Sequence, residues 1–287
     1  MLKPLTMSDR HTIPVQGFGV YQIPADQTAN AVAHAIEAGY RHIDTAQAYF
    51  NEEAVGEGIS RSGIARDQLF LTTKVWLDSY GEDATYESVK ASLDKLGTDY
   101  VDLMLLHQPF NDVYGAWKAL ERAQKEGLIR SIGVSNFTPS RLHDLGSFNS
   151  AYPVVNQIEI NPFNQQTERV AQLQKLGVTV EAWAPFGEGR NGLFENPVLT
   201  EIGKQYEKSV AQVVLRWLYQ RNIVGLAKSV HAERIQQNID IEDFSLTDDD
   251  MAAIAKLDSG SSLFFDHEAV ETVDFFKDLI DQRSSNN

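Results

Sequence analysis

Four side chains of the 287-residue chain have the right types to move a proton onto a developing alkoxide: Asp44, Tyr49, Lys74 and His107. A tyrosine hydroxyl has an ordinary pKa near ~10 and is a weak acid or base at neutral pH by itself. A neighbouring ammonium favours the phenolate and lowers that pKa. Lys74 can be that cation, Asp44 can hold it in place, and His107 can share a carbonyl oxygen with the Tyr49 hydroxyl. Each residue also has a plainer reading. Lys74 reads alone as a surface charge, His107 as a hydrogen-bonded rim residue, Tyr49 as packing, and Asp44 as a cap for a following helix. What favours chemistry is their joint placement at the ends of successive strand candidates.

The rest of the composition narrows the reaction. There are no cysteines, so disulfides, thiolate nucleophiles and cysteine metal sites are excluded. The seven histidines show no paired-ligand spacing such as HExxH. The set has no nucleophile for acyl transfer, so a hydride would have to come from a cofactor. Net charge is −15, from 25 basic and 40 acidic residues. Nucleic acid and anionic membranes both need a positive field and are not expected partners. The N-terminus lacks the apolar stretch of a signal peptide, and no apolar run is long enough to span a bilayer. A cytoplasmic, monomeric protein acting on a small molecule is the expectation.

The elements that must position these residues alternate regularly. Strands are predicted at Val15–Gly19, Arg41–Asp44, Leu69–Lys74, Tyr100–Leu106, Ile129–Val134, Val154–Ile158, Val178–Ala182 and Ile223–Ala227. Tyr100–Leu106 is a nearly continuous apolar run, as a buried parallel strand requires. Helices are predicted at Gln27–Ala38, near Glu52–Ser60, at Tyr86–Leu96 and Val113–Lys125, after Thr138-Pro139, at Gln166–Leu176, near Leu199–Tyr206, and at Val210–Gln220 and Ala232–Ile239. Eight β/α units predict an α/β fold closed into a (β/α)₈ TIM barrel, one domain over residues 1–287, with a doubly wound open sheet as the alternative. The first dozen residues are expected to form a hairpin under the barrel. The Phe- and Asp-rich tail after Ser259 is expected to be an arm over its mouth.

One glycine pattern invites a different reading. Gly187, Gly189 and Gly192 form a G-x-G-x-x-G after a strand. Leu193-Phe194-Glu195-Asn196-Pro197 follows where a dinucleotide fold would need a helix N-terminus, so a flexible glycine-rich loop is the better description.

Several longer segments carry a family likeness: GYRHIDTAQAYFNEEAVGEGI (39–59), TKVW (73–76), LGTDYVDLMLLHQP (96–109), IGVSNF (132–137), NQIEINPF (156–163) and KSVHAERIQQN (228–238). Over nearly its full length the chain resembles the aldo-keto reductases. The resemblance implies reduction of aldehydes or ketones with NADPH, and a catalytic set of Asp44, Tyr49, Lys74 and His107. It also implies that Gly19, Val20 and Tyr21 line the site beside Asp44. Ser135, Asn136 and Gln157 would hold the nicotinamide carboxamide, and Trp183 would stack on its ring. Ala184, Pro185, Phe186 and Gly187 would pass along the pyrophosphate. Lys228, Ser229, Val230 and Arg234 would take the adenosine 2′-phosphate, with Gln237 and Asn238 near adenine. Tyr49, Trp76, His107 and Gln108 would border the substrate.

Four positions depart from the family pattern. Gln108 stands where many members have Trp, Trp183 where Tyr is frequent, Ala227 where Pro is common and Gln237 where Glu is common. The tail looks too short to build the substrate walls of members with long C-terminal loops, which favours small aldehydes, keto acids, dicarbonyls or keto sugars over steroids. A non-catalytic NADPH-binding sensor or accessory subunit, and a cofactor-independent barrel lyase or isomerase, are the competing classes.

Overall fold

The structure, a computed structural model, describes residues 2–285; the first residue of the expected hairpin and the last two of the tail lie outside the described residues. Eight parallel strands close into a barrel: β3 (Gln16–Gly19), β4 (His42–Asp44), β5 (Phe70–Val75), β6 (Val101–Leu106), β7 (Ile129–Ser135), β8 (Val155–Glu159), β9 (Thr179–Trp183) and β10 (Ile223–Ala227), with β10 pairing back onto β3. The open-sheet alternative is thereby excluded. Two short strands before them, β1 (Leu5–Thr6) and β2 (Thr12–Ile13), pair antiparallel. Met7 and Ile13 of this hairpin join Phe70, Leu103, Leu105, Val224 and Leu226 in the apolar fill of the barrel interior. Ser131 Oγ donates to Asp9 (2.6 Å) and meets His11 Nδ1 (3.1 Å), fastening the hairpin below the barrel.

Helices α1 (Ala25–Glu37), α2 (Glu52–Ser62), α3 (Glu82–Leu96), α4 (Val113–Lys125), α5 (Pro139–Ser147), α6 (Thr167–Lys175), α7 (Pro197–Tyr206), α8 (Val210–Gln220) and α9 (Ala232–Ile239) connect the strands or follow the last one. Local chemistry sets their ends. Thr138 Oγ1 accepts from Arg141 N with Pro139 in the first turn of α5, and Gly97 ends α3 at φ +63°. α3 starts four residues before the predicted Tyr86, because Gly81 takes the turn and Glu82-Asp83 fill the first helical turn before the apolar face begins. The glycine-rich segment Gly187–Glu195 is a run of 3₁₀ turns broken by left-handed residues, including Gly189 at φ +74°. It offers no regular helix at the motif.

Side chains alternate across each strand. On β5, Phe70 and Thr72 face the interior, while Leu71, Thr73 and Val75 face the helices. That alternation turns Lys74 inward, where it is fully buried. Two further helices follow the repeats, α10 (Asp248–Ala255) and α11 (Val270–Ser285). Among the described residues, no helix is long and apolar enough to cross a membrane.

Candidate active site

The upper rim gathers the proton-transfer set. Asp44 is the last residue of β4, Lys74 lies near the end of β5, His107 follows β6, and Tyr49 closes the 3₁₀ turn Gln47–Tyr49. Asp44 is no helix cap. It accepts from Lys74 Nζ at 2.6 Å, and the same ammonium donates to Thr45 O at 2.9 Å and reaches Tyr49 Oη at 3.4 Å. An ammonium has three donors, so all three are assigned. The Tyr49 ring meets the His107 ring edge-on at 5.6 Å and the Tyr21 ring at 4.9 Å.

The electrostatics revise one expectation. Lys74 pulls the Tyr49 pKa down, as anticipated, but burial is the larger effect and the phenol is pushed up to about 12. Tyr49 therefore rests as the neutral phenol, the form that can give a proton. At Lys74 burial opposes the charge, yet Asp44 and Tyr49 outweigh it and the ammonium is held above its ordinary range. His107 is driven well below its usual value, first by burial and then by the charge on Lys74. It is a neutral imidazole, and its Nδ1 has no hydrogen-bond partner among the described residues.

Beneath this set lies a buried polar layer that sequence reading missed. Gln157 Nε2 donates both to Asp44 Oδ2 (2.9 Å) and to Glu181 Oε2 (3.0 Å). Glu181 also approaches His42 Nε2 at 3.7 Å, and that ring nitrogen meets Thr72 Oγ1 at 3.0 Å. Burial raises Glu181 to about 8 and lowers His42 to about 4, so each favours its neutral form near pH 7. The available signal was register: two residues beyond Thr179 and two before Trp183, Glu181 shares their face of β9.

The residues expected around a nicotinamide converge. Asn136, at φ +66°, donates to His107 O (3.1 Å), Ser135 Oγ (3.2 Å) and Gln108 Oε1 (3.3 Å). Trp183 Nε1 donates to Asn136 Oδ1 (2.8 Å), and Ser135 Oγ donates to the Gln157 carbonyl (2.8 Å). The Gln157 side chain faces the buried carboxylates instead. Gly19 and buried Val20 run beside Asp44, whose carbonyl accepts from Val20 N at 3.1 Å. Ala184, at φ +46°, begins a turn closed by Gly187 N on Ala184 O (2.8 Å); it carries Pro185 and Phe186 away from β9.

Beyond β10, Lys228, Val230, Arg234 and Gln237 are exposed, while Ser229 and Asn238 are buried. Ser229 Oγ accepts from His231 N (3.0 Å) and the Asn238 carbonyl accepts from Gln16 (3.0 Å). Val230 and Arg234 open onto a cleft of about 580 Å³.

The tail after Ser259 lies at the rim, where an arm over the barrel mouth was expected, and its last helix α11 packs against Trp76. Phe276 is buried there, 5.8 Å from the Trp76 ring and 5.6 Å from Phe110. His267 Nε2 meets Gln108 Oε1 at 3.0 Å, so the residue standing in place of Trp is tied to the tail. Trp76 in turn lies edge-on to His107, 5.0 Å between centroids. Phe264 packs on Trp183 at 5.1 Å. Glu159 accepts from Ser262 Oγ (2.5 Å) and Leu263 N (3.0 Å), and Arg190 of the glycine-rich loop donates to the Leu263 carbonyl.

A barrel with an Asp-Tyr-Lys-His set on its C-terminal rim defines a class of oxidoreductase, and comparison with known proteins agrees. The Aldo/keto reductase family model matches residues 16–259. An aldo-keto reductase of Mycolicibacterium smegmatis is 45% identical over 262 residues, covering 90% of this chain and 94% of that protein. Morphine 6-dehydrogenase of Pseudomonas putida is 42% identical, covering 92% and 94%. A Bombyx mori aldo-keto reductase solved in complex with NADP superimposes with a TM-score of 0.88 at 38% identity, covering 92% of this chain and 95% of that one. The chain belongs to the aldo-keto reductase family and is an oxidoreductase acting on carbonyl groups.

Proposed function

We propose that this chain reduces aldehydes or ketones of small molecules with NADPH, and that Tyr49 gives the proton to the carbonyl oxygen. The observation that carries the reading is the Lys74 ammonium, with one donor to Asp44, one to Thr45 O and the third toward Tyr49 Oη. As the proton leaves Tyr49, the phenolate forms against a fixed cation that needs no rearrangement. His107, neutral and edge-on to Tyr49, orients the same carbonyl oxygen. Trp76 and Gln108 border the substrate.

The residues present fit NADPH. Lys228 and Arg234 are two exposed cations without an ion pair among the described residues, beside the cleft at the start of α9. Such a cluster suits a phosphate that a strongly acidic protein would otherwise repel. Ser229 and Val230 complete that end, with Gln237 and Asn238 toward adenine. Ala184, Pro185, Phe186 and Gly187 would follow the pyrophosphate. Ser135, Asn136 and Gln157 would serve the carboxamide, and Trp183 the ring face, with Gly19, Val20 and Tyr21 on the opposite side. When bound, the cofactor supplies the hydride.

The whole chain is inferred to work as one domain, which its single closed barrel supports, and as a monomer in the cytoplasm. The test is to mix protein, NADPH and phenylglyoxal and follow the reduced-nicotinamide absorbance. Cofactor oxidation that is lost in Tyr49→Phe is the expected result. Binding of NADPH without turnover would instead make the chain a sensor, and no binding would remove the cofactor from the reading.

A further inference from the structure

The barrel interior under the rim holds two carboxyls beside one ammonium. Asp44, Glu181 and Lys74 are all buried, and Lys74 directs its donors at Asp44, Thr45 O and Tyr49 Oη. None is left for Glu181. The groups that face Glu181 are Gln157 from β8, Asp44 and His42 from β4, and Lys74 from β5. Its neighbour β10 contributes the apolar Val224 and Leu226 to the same interior. Asp102 of β6, whose charge also acts on His42, is paired with Arg66 and Arg130.

One ammonium balances one carboxylate, and Asp44, 2.6 Å from Lys74 Nζ, is that partner. An anionic Glu181 would be a second negative charge in the same dry space, with Gln157 as its sole donor among the described residues. Glu181 therefore holds a proton when the site is at rest, in agreement with the upward push that burial gives it. Oε2 accepts from Gln157, so the proton belongs on Oε1, which faces His42 Nε2 at 3.7 Å and has no hydrogen-bond partner. The two hydrogens of Gln157 Nε2 go one to each carboxyl, Asp44 Oδ2 at 2.9 Å and Glu181 Oε2 at 3.0 Å. An amide that donates at both ends relays no proton. What crosses it is orientation and charge.

We propose that Glu181 is a positioning residue for the reduction, supporting proton delivery from Tyr49 while it is neutral and opposing it once ionised. This rests on the reductase reading above. While neutral, Glu181 holds Gln157 against Asp44, and Asp44 and Lys74 form a balanced pair before Tyr49 acts. As Tyr49 gives up its proton, negative charge grows on Oη beside that pair. With Glu181 ionised, the same charge would grow beside an excess of one, and Lys74 would be shared among three anions. The other groups of the set titrate elsewhere. Tyr49 is pushed up to about 12, Lys74 is held above its ordinary range, and His107 and His42 lie below theirs.

The test is the single-turnover rate of NADPH oxidation by 4-nitrobenzaldehyde, both saturating, followed by NADPH fluorescence from pH 6.5 to 9.5. In the unmodified protein the rate is expected to fall by at least about threefold across that range, as a unit charge acting through a protein interior should cause. Glu181→Gln keeps the shape and the acceptor for Gln157 but cannot ionise, so its profile should be level. High salt should leave the fall in place, because the charge is buried. A level profile in the unmodified protein, or an equal fall in Glu181→Gln, overturns the proposal and leaves the reductase standing. Should Glu181→Gln fail to fold, infrared spectra of the unmodified protein read the carboxyl directly. Loss of a protonated-carboxyl band in step with the rate is expected, and a band unchanged from pH 6.5 to 9.5 overturns the proposal. No oxidation of NADPH by the unmodified protein at any pH overturns the reductase reading and this inference with it.

Discussion

Lys74 is buried with every donor assigned, which makes its removal costly in a specific way. Lys74→Met should abolish most turnover, because the phenolate of Tyr49 loses its counter-charge. Tyr49→Phe keeps the ring between Tyr21 and His107 and should lower kcat by about 10²–10⁴-fold, the usual contribution of general acid catalysis. NADPH affinity should change little; a variant with near-normal turnover would remove Tyr49 from its role. The buried pair beneath predicts a pH effect on stability. Glu181, raised from 4.5 to about 8, contributes fully below 4.5 and loses that contribution as pH climbs through about 8. His42, lowered from 6.5 to about 4, contributes fully above 6.5 and loses it as pH falls through about 4. Between 4.5 and 6.5 the two trends oppose, and from 6.5 to about 8 the Glu181 loss is uncompensated. The Tm of the unmodified protein should drop more between pH 6.5 and 8.5 than that of Glu181→Gln. Parallel drops would show that Glu181 holds no proton in the folded state. The placement of Asp44, Lys74 and His107 could be read from sequence because each lies at, just before or just beyond the end of a strand that leads to one rim. Glu181 and His42 were harder to read, since a charged residue inside a short strand ordinarily marks the solvent side and only the register of β9 pointed to Glu181.

At the scale of elements, legibility followed burial. β6 is buried from end to end, and its Val101-Asp102-Leu103-Met104-Leu105-Leu106 run, apolar but for Asp102, announced it. α11 left a faint trace, because its fully buried side chains, Thr272 and Phe276, sit among exposed Glu, Asp and Lys. α10 was marked by a capping box at Thr247 and Asp250 that the eight-unit pattern gave no reason to seek. The tail's attachment can be tested through Phe276. Phe276→Ala removes a buried ring whose loss in a core costs about 3–5 kcal/mol. Here it should fall on the docking of α11. Limited proteolysis should then cut the tail while the barrel keeps its melting transition. The ranking of bulky against small aldehydes should move as well, and Trp76→Ala should move it further, since that ring joins the tail to His107. A tail equally resistant in Phe276→Ala would detach α11 from this role.

For the molecule as a whole, charge decides cofactor choice. A 2′-phosphate brought to a chain of net charge −15 needs local cations, the role proposed for Lys228 and Arg234. Preference for NADPH over NADH is expected to be at least about tenfold, from two charge-assisted contacts discounted for exposure. Arg234→Ala should weaken NADPH binding and leave NADH nearly untouched, with the difference shrinking at high salt. Equal dissociation constants in the unmodified protein, read by tryptophan fluorescence, would contradict this.

The Arg190 bond to the Leu263 carbonyl links two regions 73 residues apart in the chain, while Glu159 anchors the same tail segment to β8. Arg190 also lies over the Phe264 ring at 4.1 Å, and Phe264 covers Trp183. A loop beside the proposed pyrophosphate path and a wall beside the substrate are thus latched by one side chain. In kinetic terms, the cofactor's residence time should depend on a residue that touches no part of it. Arg190→Ala should speed NADPH dissociation in stopped flow by more than it changes association, and turnover should rise wherever release limits the cycle.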